Sequence, residues 1–264
     1  MYPIDSYEDK GIDLLKSSLL DSLDFVGHAF STRRGGVSEG RYSSLNLGDA
    51  RGEDPERVKE NRKRFFGAAD IEGFRIAEAQ QVHGTEIVEI NACHIGTKPC
   101  ADALMTNVPG ILVTVQTADC VPVLIADRKQ RAVAAVHAGR RGTAAGFLNE
   151  VVRKLKERYG SEPPDLVAVL GPGISGPRYE VREECLLPFQ ERFADWRMFC
   201  APHKGGKWLL DLPGAIRRQI IAAGVPAKQV GLSGPCTFSE NSRFYSYRRD
   251  GPSTGRLMAA IAIR

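Results

Sequence analysis

The stretch TADCVPVLIADRKQRAVAAVHAGRRGT, residues 117–143, decides how this chain folds. One apolar run begins after Asp119-Cys120 and continues through Val121-Pro122-Val123-Leu124-Ile125. Asp-Arg-Lys-Gln supplies a turn, and a second apolar run climbs through Ala132–Val136 to His137. Two buried runs joined by a short polar turn predict a β-hairpin. Pro122 lacks a backbone N–H, which predicts an edge or an irregularity there. The arms of such a hairpin bring their ends together, and here those ends carry a cysteine and a histidine. A thiolate beside an imidazole is either part of a metal site or a nucleophile with its base.

The flanking segments extend the pattern. Residues 110–118 (GILVTVQTA) and 165–173 (DLVAVLGPG) read as further buried strands, and 25–38 (FVGHAFSTRRGGVS) as a strand entering a Gly-Gly turn. In 75–90 two short strands are broken at His83-Gly84. Helices are expected over DPERVKENRKRFFGA (54–68), with Asp54 as cap and Pro55 at the first helical position, and over AAGFLNEVVRKLKERYG (144–160), with Gly160 as the stop. A third is expected over LPGAIRRQIIAAG (212–224). The C-terminal RFYSYRRDGPSTGRLMAAIAIR (243–264) reads as strand, turn and final strand. Strands outnumber helices and several follow one another directly, which predicts an α+β domain with mixed or antiparallel sheets. With no repeat, low-complexity segment or linker, residues 1–264 read as one domain, residues 1–24 forming a peripheral N-terminal segment.

The 264 residues carry a formal net charge of +4, which suits an anionic small substrate as well as a polymer. Arginines occur in pairs, at 33–34, 140–141, 217–218 and 248–249, but no Lys/Arg run marks a nucleic-acid arm. The N-terminus MYPIDSYEDKGIDLLKSSLL has no basic region followed by an apolar one, and no apolar stretch is long enough to span a bilayer. A cytoplasmic protein is expected, whose cysteines stay reduced and whose partners exclude nucleic acid and membrane. The chain also lacks the glycine patterns of dinucleotide and P-loop sites.

Five histidines and six cysteines limit the metal chemistry available. His83 and His137 each end a strand-like run and stand immediately before Gly84 or Ala138-Gly139. Cys120 shares this setting. Two imidazoles and one thiolate have the composition of a catalytic zinc site with one open position. The Cys93, His94 and Cys100 group misses zinc spacing, and His28 fits a hydrogen-bonded core histidine. Gly139-Arg140-Arg141-Gly142-Thr143 precedes a helix, so its amides and arginines are placed to hold an anion.

Several segments together resemble the YfiH/YlmD-type laccase-domain proteins, also called the polyphenol oxidase or peptidoglycan-editing-factor family. They are GGVS (35–38), SLNLG (44–48), Asn61-Arg62, QVHG (81–84), ADALMT (101–106), TADCVPVL (117–124), AAVHAGRRGT (134–143), GPGISGPRYEV (171–181) and FYSYRRDGPSTGR (244–256). They stand in the family's order from about Gly27 to the C-terminus. The resemblance implies a four-layer α/β/β/α fold and zinc bound through His83, Cys120 and His137. It also implies phosphorolysis of purine nucleosides (adenosine, inosine, guanosine, methylthioadenosine), with adenosine deamination as a further activity. Copper-dependent phenol oxidation and cell-wall precursor editing are the other roles attached to the family. Arg140 departs from the tryptophan common in the family, and Pro177-Arg178 replace a frequent cysteine pair.

Five histidines cannot supply several copper centres, so nucleoside chemistry is preferred and zinc, rather than copper, is the expected metal. The expected catalytic residues are His83, Cys120, His137 and Asp102, the last as a base or as an orienter of a histidine. Arg62, Arg141 and Arg248 are the expected phosphate clamp, since planar guanidinium forks fit phosphate oxygens. Ser44 and Asn46 are expected to read ribose or base edges, and Gln81 to stand near the ligands. The alternative is a cysteine hydrolase in which Cys120 attacks and His137 is its base. The chain is expected to act as a monomer or homodimer.

Overall fold

Residues 121–127 and 133–138 pair antiparallel, with Val121 opposite Ala138 and Pro122 opposite His137. This register leaves Cys120 just beyond the first pair, level with Gly139. The computed structural model of the chain describes residues 4–49, 52–232 and 234–264. Numbered along the chain, the strands are β1 (Ile4–Asp9), β2 (Ile12–Ser17), β3 (Val26–Ser31), β4 (Arg75–Ala77), β5 (Ile87–Glu89), β6 (Ala103–Thr106), β7 (Ile111–Thr117), β8 (Val121–Asp127) and β9 (Val133–Ala138). They continue as β10 (Leu166–Leu170), β11 (Glu180–Arg182), β12 (Cys200–His203), β13 (Lys207–Leu210), β14 (Val230–Gly231) and β15 (Leu257–Ile263). The helices are α1 (Ser18–Asp21), α2 (Pro55–Ala68), α3 (Arg140–Ala144), α4 (Phe147–Tyr159), α5 (Leu187–Arg192), α6 (Leu212–Ala222) and α7 (Tyr247–Asp250).

Two six-stranded sheets form the body, ordered β1-β2-β3-β15-β7-β4 and β14-β10-β8-β9-β6-β5, and β11-β13-β12 make a small third sheet. Both large sheets are mixed: β4 runs parallel to β7, β5 to β6 and β14 to β10. Side chains alternate along each strand, so every strand feeds two apolar layers. In β15, Leu257, Ala259, Ile261 and Ile263 face the second sheet, where Leu124, Ala126, Val167 and Val169 meet them. Met258, Ala260 and Ala262 face the other way, onto Phe65 and Phe66 of α2. The outer face of the second sheet packs Val123, Ile125, Val136 and Ala168 against Phe147, Val151 and Ile216 of α4 and α6. The result is the four layers, helix, sheet, sheet and helices, of an α+β fold.

The helices expected over 54–68 and 144–160 form, with local causes visible. Asp54 accepts the N–H of Glu56 at 2.9 Å to cap α2, with Pro55 in its first turn. Gly160 closes α4 in the left-handed region (φ 71°), where glycine carries no steric cost. Four expectations need correction. Pro122 lies in an interior strand, not at an edge; it sits at the strand's start, beyond the last pair with β10, where its carbonyl accepts from Gly171 at 2.8 Å. Gly139–Thr143, expected to precede the helix, instead carries a short helix of its own, Arg140–Ala144, and α4 starts separately at Phe147, not at Ala144. No strand forms over 243–249; the Ser246 side chain instead caps the short α7. In the N-terminal segment β1 is an exposed edge strand, whereas β2 and α1 bury Leu14, Leu15 and Leu20 in the core. Residues 1–3 of that segment lie outside the described residues.

Candidate metal centre and its cavity

Asp102 organises the site. It is fully buried, one residue ahead of β6, and three consecutive amides wrap its carboxylate. Val82 and Gly84 donate to one oxygen at 3.3 and 2.7 Å, and His83 to the other at 3.0 Å. His83 is thereby held at φ 59°, a left-handed conformation that a non-glycine residue keeps only when its surroundings fix it. The same Asp102 oxygen that accepts from the His83 amide lies 2.7 Å from Nδ1 of His137. This contact places the proton on Nδ1 and leaves Nε2 facing Cys120.

The ligand atoms of His83, Cys120 and His137 all lie within 4.8 Å of one another, and this is the one His/Cys/Asp/Glu group of that kind among the described residues. The rings of His83 and His137 stand edge to face with centroids 4.7 Å apart. Gly139 keeps the space between them open. A Cβ there would sit 3.1 Å from Cys120 Sγ, 3.3 Å from His83 Cδ2 and 3.8 Å from His137 Cε1. Asp119 precedes Cys120 at φ 89°, fixed by hydrogen bonds from the Thr237 hydroxyl at 2.7 Å and the Arg248 amide at 2.6 Å.

Electrostatics favour a charged sulfur. Burial opposes ionisation of the Cys120 thiol, but hydrogen bonding to His137 and His83 outweighs burial and pushes its pKa down to about 6. Burial likewise opposes charge on His137, and Asp102 with Cys120 outweighs it and raises the imidazole's pKa. A soft thiolate, two imidazoles and a buried carboxylate behind one of them fit a borderline-soft cation such as zinc.

The three residues line one side of a cavity of about 640 Å³. Arg141, Arg248 and Gln81 line it as the sequence suggested. Gln81 is spent structurally, clamping the backbone of Gln116 through its amide nitrogen and oxygen, each at 2.7 Å. Three expected site residues are placed elsewhere, and Asp102 keeps one of its two expected settings. Asp102, expected as a base or as an orienter of a histidine, is fully buried behind His137 with both oxygens engaged, the setting of an orienter and not of a base. Arg62 donates to the carbonyl of Leu47 at 3.0 Å and pairs with Glu78 at 3.0 Å, away from the cavity wall. Ser44 bonds Arg33 O and Gly36 N. Asn46 is fully buried and holds Gly48, Glu53 and the Arg256 amide.

Arg140, which the sequence placed in the anion-holding segment, lines the cavity, and residues that the sequence did not single out join it: Tyr179, Tyr247, Gln116 and Arg256. Tyr179 and Arg256 both lie in segments that carried the family resemblance, and that was the available signal. Among the described residues no helix is long and apolar enough to cross a membrane.

The chain is similar to proteins named purine nucleoside phosphorylase from Deinococcus radiodurans, 39% identical over 96% of this chain and 94% of that one, and from Bacteroides thetaiotaomicron, 35% identical over 92% and 94%. The crystal structure of YlmD from Geobacillus stearothermophilus superposes with a TM-score of 0.92 at 30% identity, covering 99% of this chain and all of that one. The family model described as multi-copper polyphenol oxidoreductase laccase matches residues 27–264, and the chain belongs to that laccase-domain family.

Proposed function

We propose that the protein is a zinc-dependent purine nucleoside phosphorylase acting in the cytoplasm as a monomer or homodimer. The observation that carries the reading is the convergence of His83, Cys120 and His137 on the wall of an arginine-lined cavity. The names of its relatives support the substrate pair of purine nucleoside and phosphate.

His83, Cys120 and His137 would hold the ion, and Asp102 fixes the ring of His137 for it. A bound zinc supplies a Lewis acid for an electronegative atom of the substrate. The residues around it do the rest. Arg140, Arg141, Arg248 and Arg256 offer guanidinium groups to phosphate. Tyr179 and Tyr247 offer aromatic surface to a purine. In phosphorolysis a phosphate oxygen bonds to C1′ of the ribose while the bond from C1′ to the base nitrogen breaks and its electron pair leaves with the base. Holding phosphate and nucleoside together in one cavity lowers the entropic part of that barrier. Adenosine deamination would use the same cavity as a side reaction.

The test is incubation with adenosine or inosine, with and without phosphate. Free base and ribose 1-phosphate should form only when phosphate is present. Turnover indifferent to phosphate would assign a hydrolase or deaminase instead.

One observation favours a second reading. Cys120, His137 and Asp102 stand in the order of nucleophile, base and orienter, as in a cysteine hydrolase. That reading leaves His83 without a role. His83→Ala should abolish activity as completely as Cys120→Ala, and chelator should remove wild-type activity reversibly. An active His83→Ala protein with a covalent adduct trapped on Cys120 would establish the hydrolase.

A further inference from the structure

Asp119 stands directly before the candidate ligand Cys120, and all three of its oxygens are taken. Its backbone carbonyl accepts the Ile174 amide at 2.9 Å. One carboxylate oxygen accepts the Thr237 hydroxyl at 2.7 Å and the other the Arg248 amide at 2.6 Å. Asp119 is 8% exposed and sits at φ 89°, where a residue with a Cβ stays only if its surroundings hold it. Those surroundings come from three separate segments. Cys120, Ile174, Tyr247 and Arg248 all line the cavity. Thr237 is fully buried and donates its own amide to the Gly173 carbonyl at 3.1 Å.

Helix α7 depends on this arrangement. Its four residues make a single turn, too short to hold itself in water. Two of its leading amides are caught by side chains, that of Arg248 by Asp119 and that of Arg249 by Ser246 at 3.2 Å. A carboxylate against the leading amides of a helix is a favoured pairing. The Arg249 guanidinium is a further anchor, donating to the carbonyls of Thr237, Phe238 and Phe244 at 2.8, 3.0 and 2.9 Å. Arg249 thus ties α7 to the segment before it, whereas Asp119 ties it to the backbone that carries Cys120.

We propose that Asp119 is a positioning residue that couples ligation at Cys120 to the order of α7, the element that presents Tyr247 and Arg248 to the cavity. Pinning the Cys120 sulfur pins the adjoining backbone of Asp119, and with it the carboxylate that holds α7. Order imposed by one ligand need not be imposed again by the next, so ion and cavity ligand strengthen each other's binding. The inference rests on reading His83, Cys120 and His137 as a metal centre; it does not require phosphorolysis.

The test compares the full-length wild type with Asp119→Asn, Thr237→Val and Thr237→Ser, each with and without zinc. Asparagine tolerates positive φ, so Asp119→Asn removes one acceptor without straining the backbone. Chelator competition verifies that zinc is bound, and hydrogen exchange read by mass spectrometry follows the segment that contains α7. In the wild type zinc should slow exchange there about 10-fold or more, the scale of one charge-assisted hydrogen bond. In Asp119→Asn and Thr237→Val the slowing should shrink to about 3-fold or less although zinc is bound. Thr237→Ser keeps the hydroxyl and should retain the wild-type response. A merely structural role would speed exchange equally with and without zinc.

Calorimetry with inosine, on zinc-loaded and zinc-free protein, gives a second readout. The dependence of inosine affinity on zinc should fall about 5-fold or more in Asp119→Asn, whereas coupling through direct contact of ion and ligand would leave it whole. If zinc binds the variants and slows α7 exchange as it does in the wild type, the coupling is overturned. If the wild type binds no zinc, the metal reading falls and the coupling falls with it. If inosine binds neither form, phosphorolysis falls while the exchange result still decides the coupling. Should Asp119→Asn fail to fold, Thr237→Val against Thr237→Ser decides, since the two differ in whether the hydroxyl on Asp119 is kept.

Discussion

Asp102 and His137 are joined twice, side chain to side chain at 2.7 Å and through the His137 amide to the Asp102 carbonyl at 2.7 Å. The imidazole can neither rotate nor change tautomer without breaking a buried contact. Because the same carboxylate winds the Val82–Gly84 turn, one residue positions both histidines of the candidate centre.

Asp102→Asn should therefore act on metal affinity before it acts on anything else. Residues that orient a metal-bound histidine are commonly worth 10- to 100-fold in affinity, and a weakening of roughly that size is expected here. Competition against a zinc chelator measures it. Unchanged affinity would show that the histidines hold their places without the carboxylate.

Gly139→Ala tests the space between the ligands. The new methyl group would lie 3.1 Å from Cys120 Sγ and 3.3 Å from His83 Cδ2, closer than ordinary van der Waals contact. Zinc affinity should drop by about 10-fold or more, while the metal-free protein melts near the wild-type temperature. Full metal loading in this variant would mean that the ligands converge elsewhere.

Arg62→Met separates a structural arginine from a phosphate ligand. Arg62 and Glu78 are 18% and 15% exposed, and removing one partner leaves the other partly buried and unpaired. A loss of about 1–3 kcal/mol is expected in denaturant unfolding, with phosphate KM unchanged. A raised phosphate KM at unchanged stability would return Arg62 to the site.

The core histidine His28 gives a pH-dependent stability with a definite sign. Burial, followed by the charges of Lys16 and Arg264, pushes its pKa down to about 3. Its Nε2 accepts the Ser17 amide at 2.9 Å and its Nδ1 lies 3.7 Å from Asp21, so the neutral ring is the one the fold holds. The unfolded ring takes up a proton below about pH 6.5, whereas the folded one waits until about 3. Its contribution is complete above the unfolded pKa and is lost as pH falls. At pH 5 the loss amounts to about 2 kcal/mol. His28→Gln should flatten that part of the stability profile between pH 7 and 5; an unchanged slope would assign it to other groups.

The sequence exposed the hairpin and its two ends because apolar runs and a polar turn are local signals. His83 joined them through its setting before a glycine, and a His/Cys/His cluster drawn from separate segments was legible without knowing how the strands pair. Arg62 shows the limit. A guanidinium on the apolar side of α2 reads the same whether it meets phosphate or Glu78, and only the third dimension places Glu78 beside it. Arg256 was hidden differently: it stands one residue ahead of β15, and its approach to the site depends on Asn46 gripping its amide across 210 residues. Tyr179 and Tyr247 looked like ordinary aromatic residues, because nothing in a linear pattern marks the wall of a cavity. The parallel pairs β4 with β7 and β5 with β6 likewise required crossovers that periodicity does not reveal.

The chain passes from one large sheet to the other twice at this site. His83 lies between β4 of the first sheet and β5 of the second, and Cys120 between β7 of the first and β8 of the second. The ligand cluster is thus a seam between two separately hydrogen-bonded layers, and its spacing reports how those layers are aligned. Phe30 of the first sheet abuts Gly171 at the end of β10 so closely that a Cβ there would lie 2.3 Å from the ring. Any substitution that makes one sheet slide over the other, even one that touches no ligand, would detune the metal-binding geometry before it unfolded the protein.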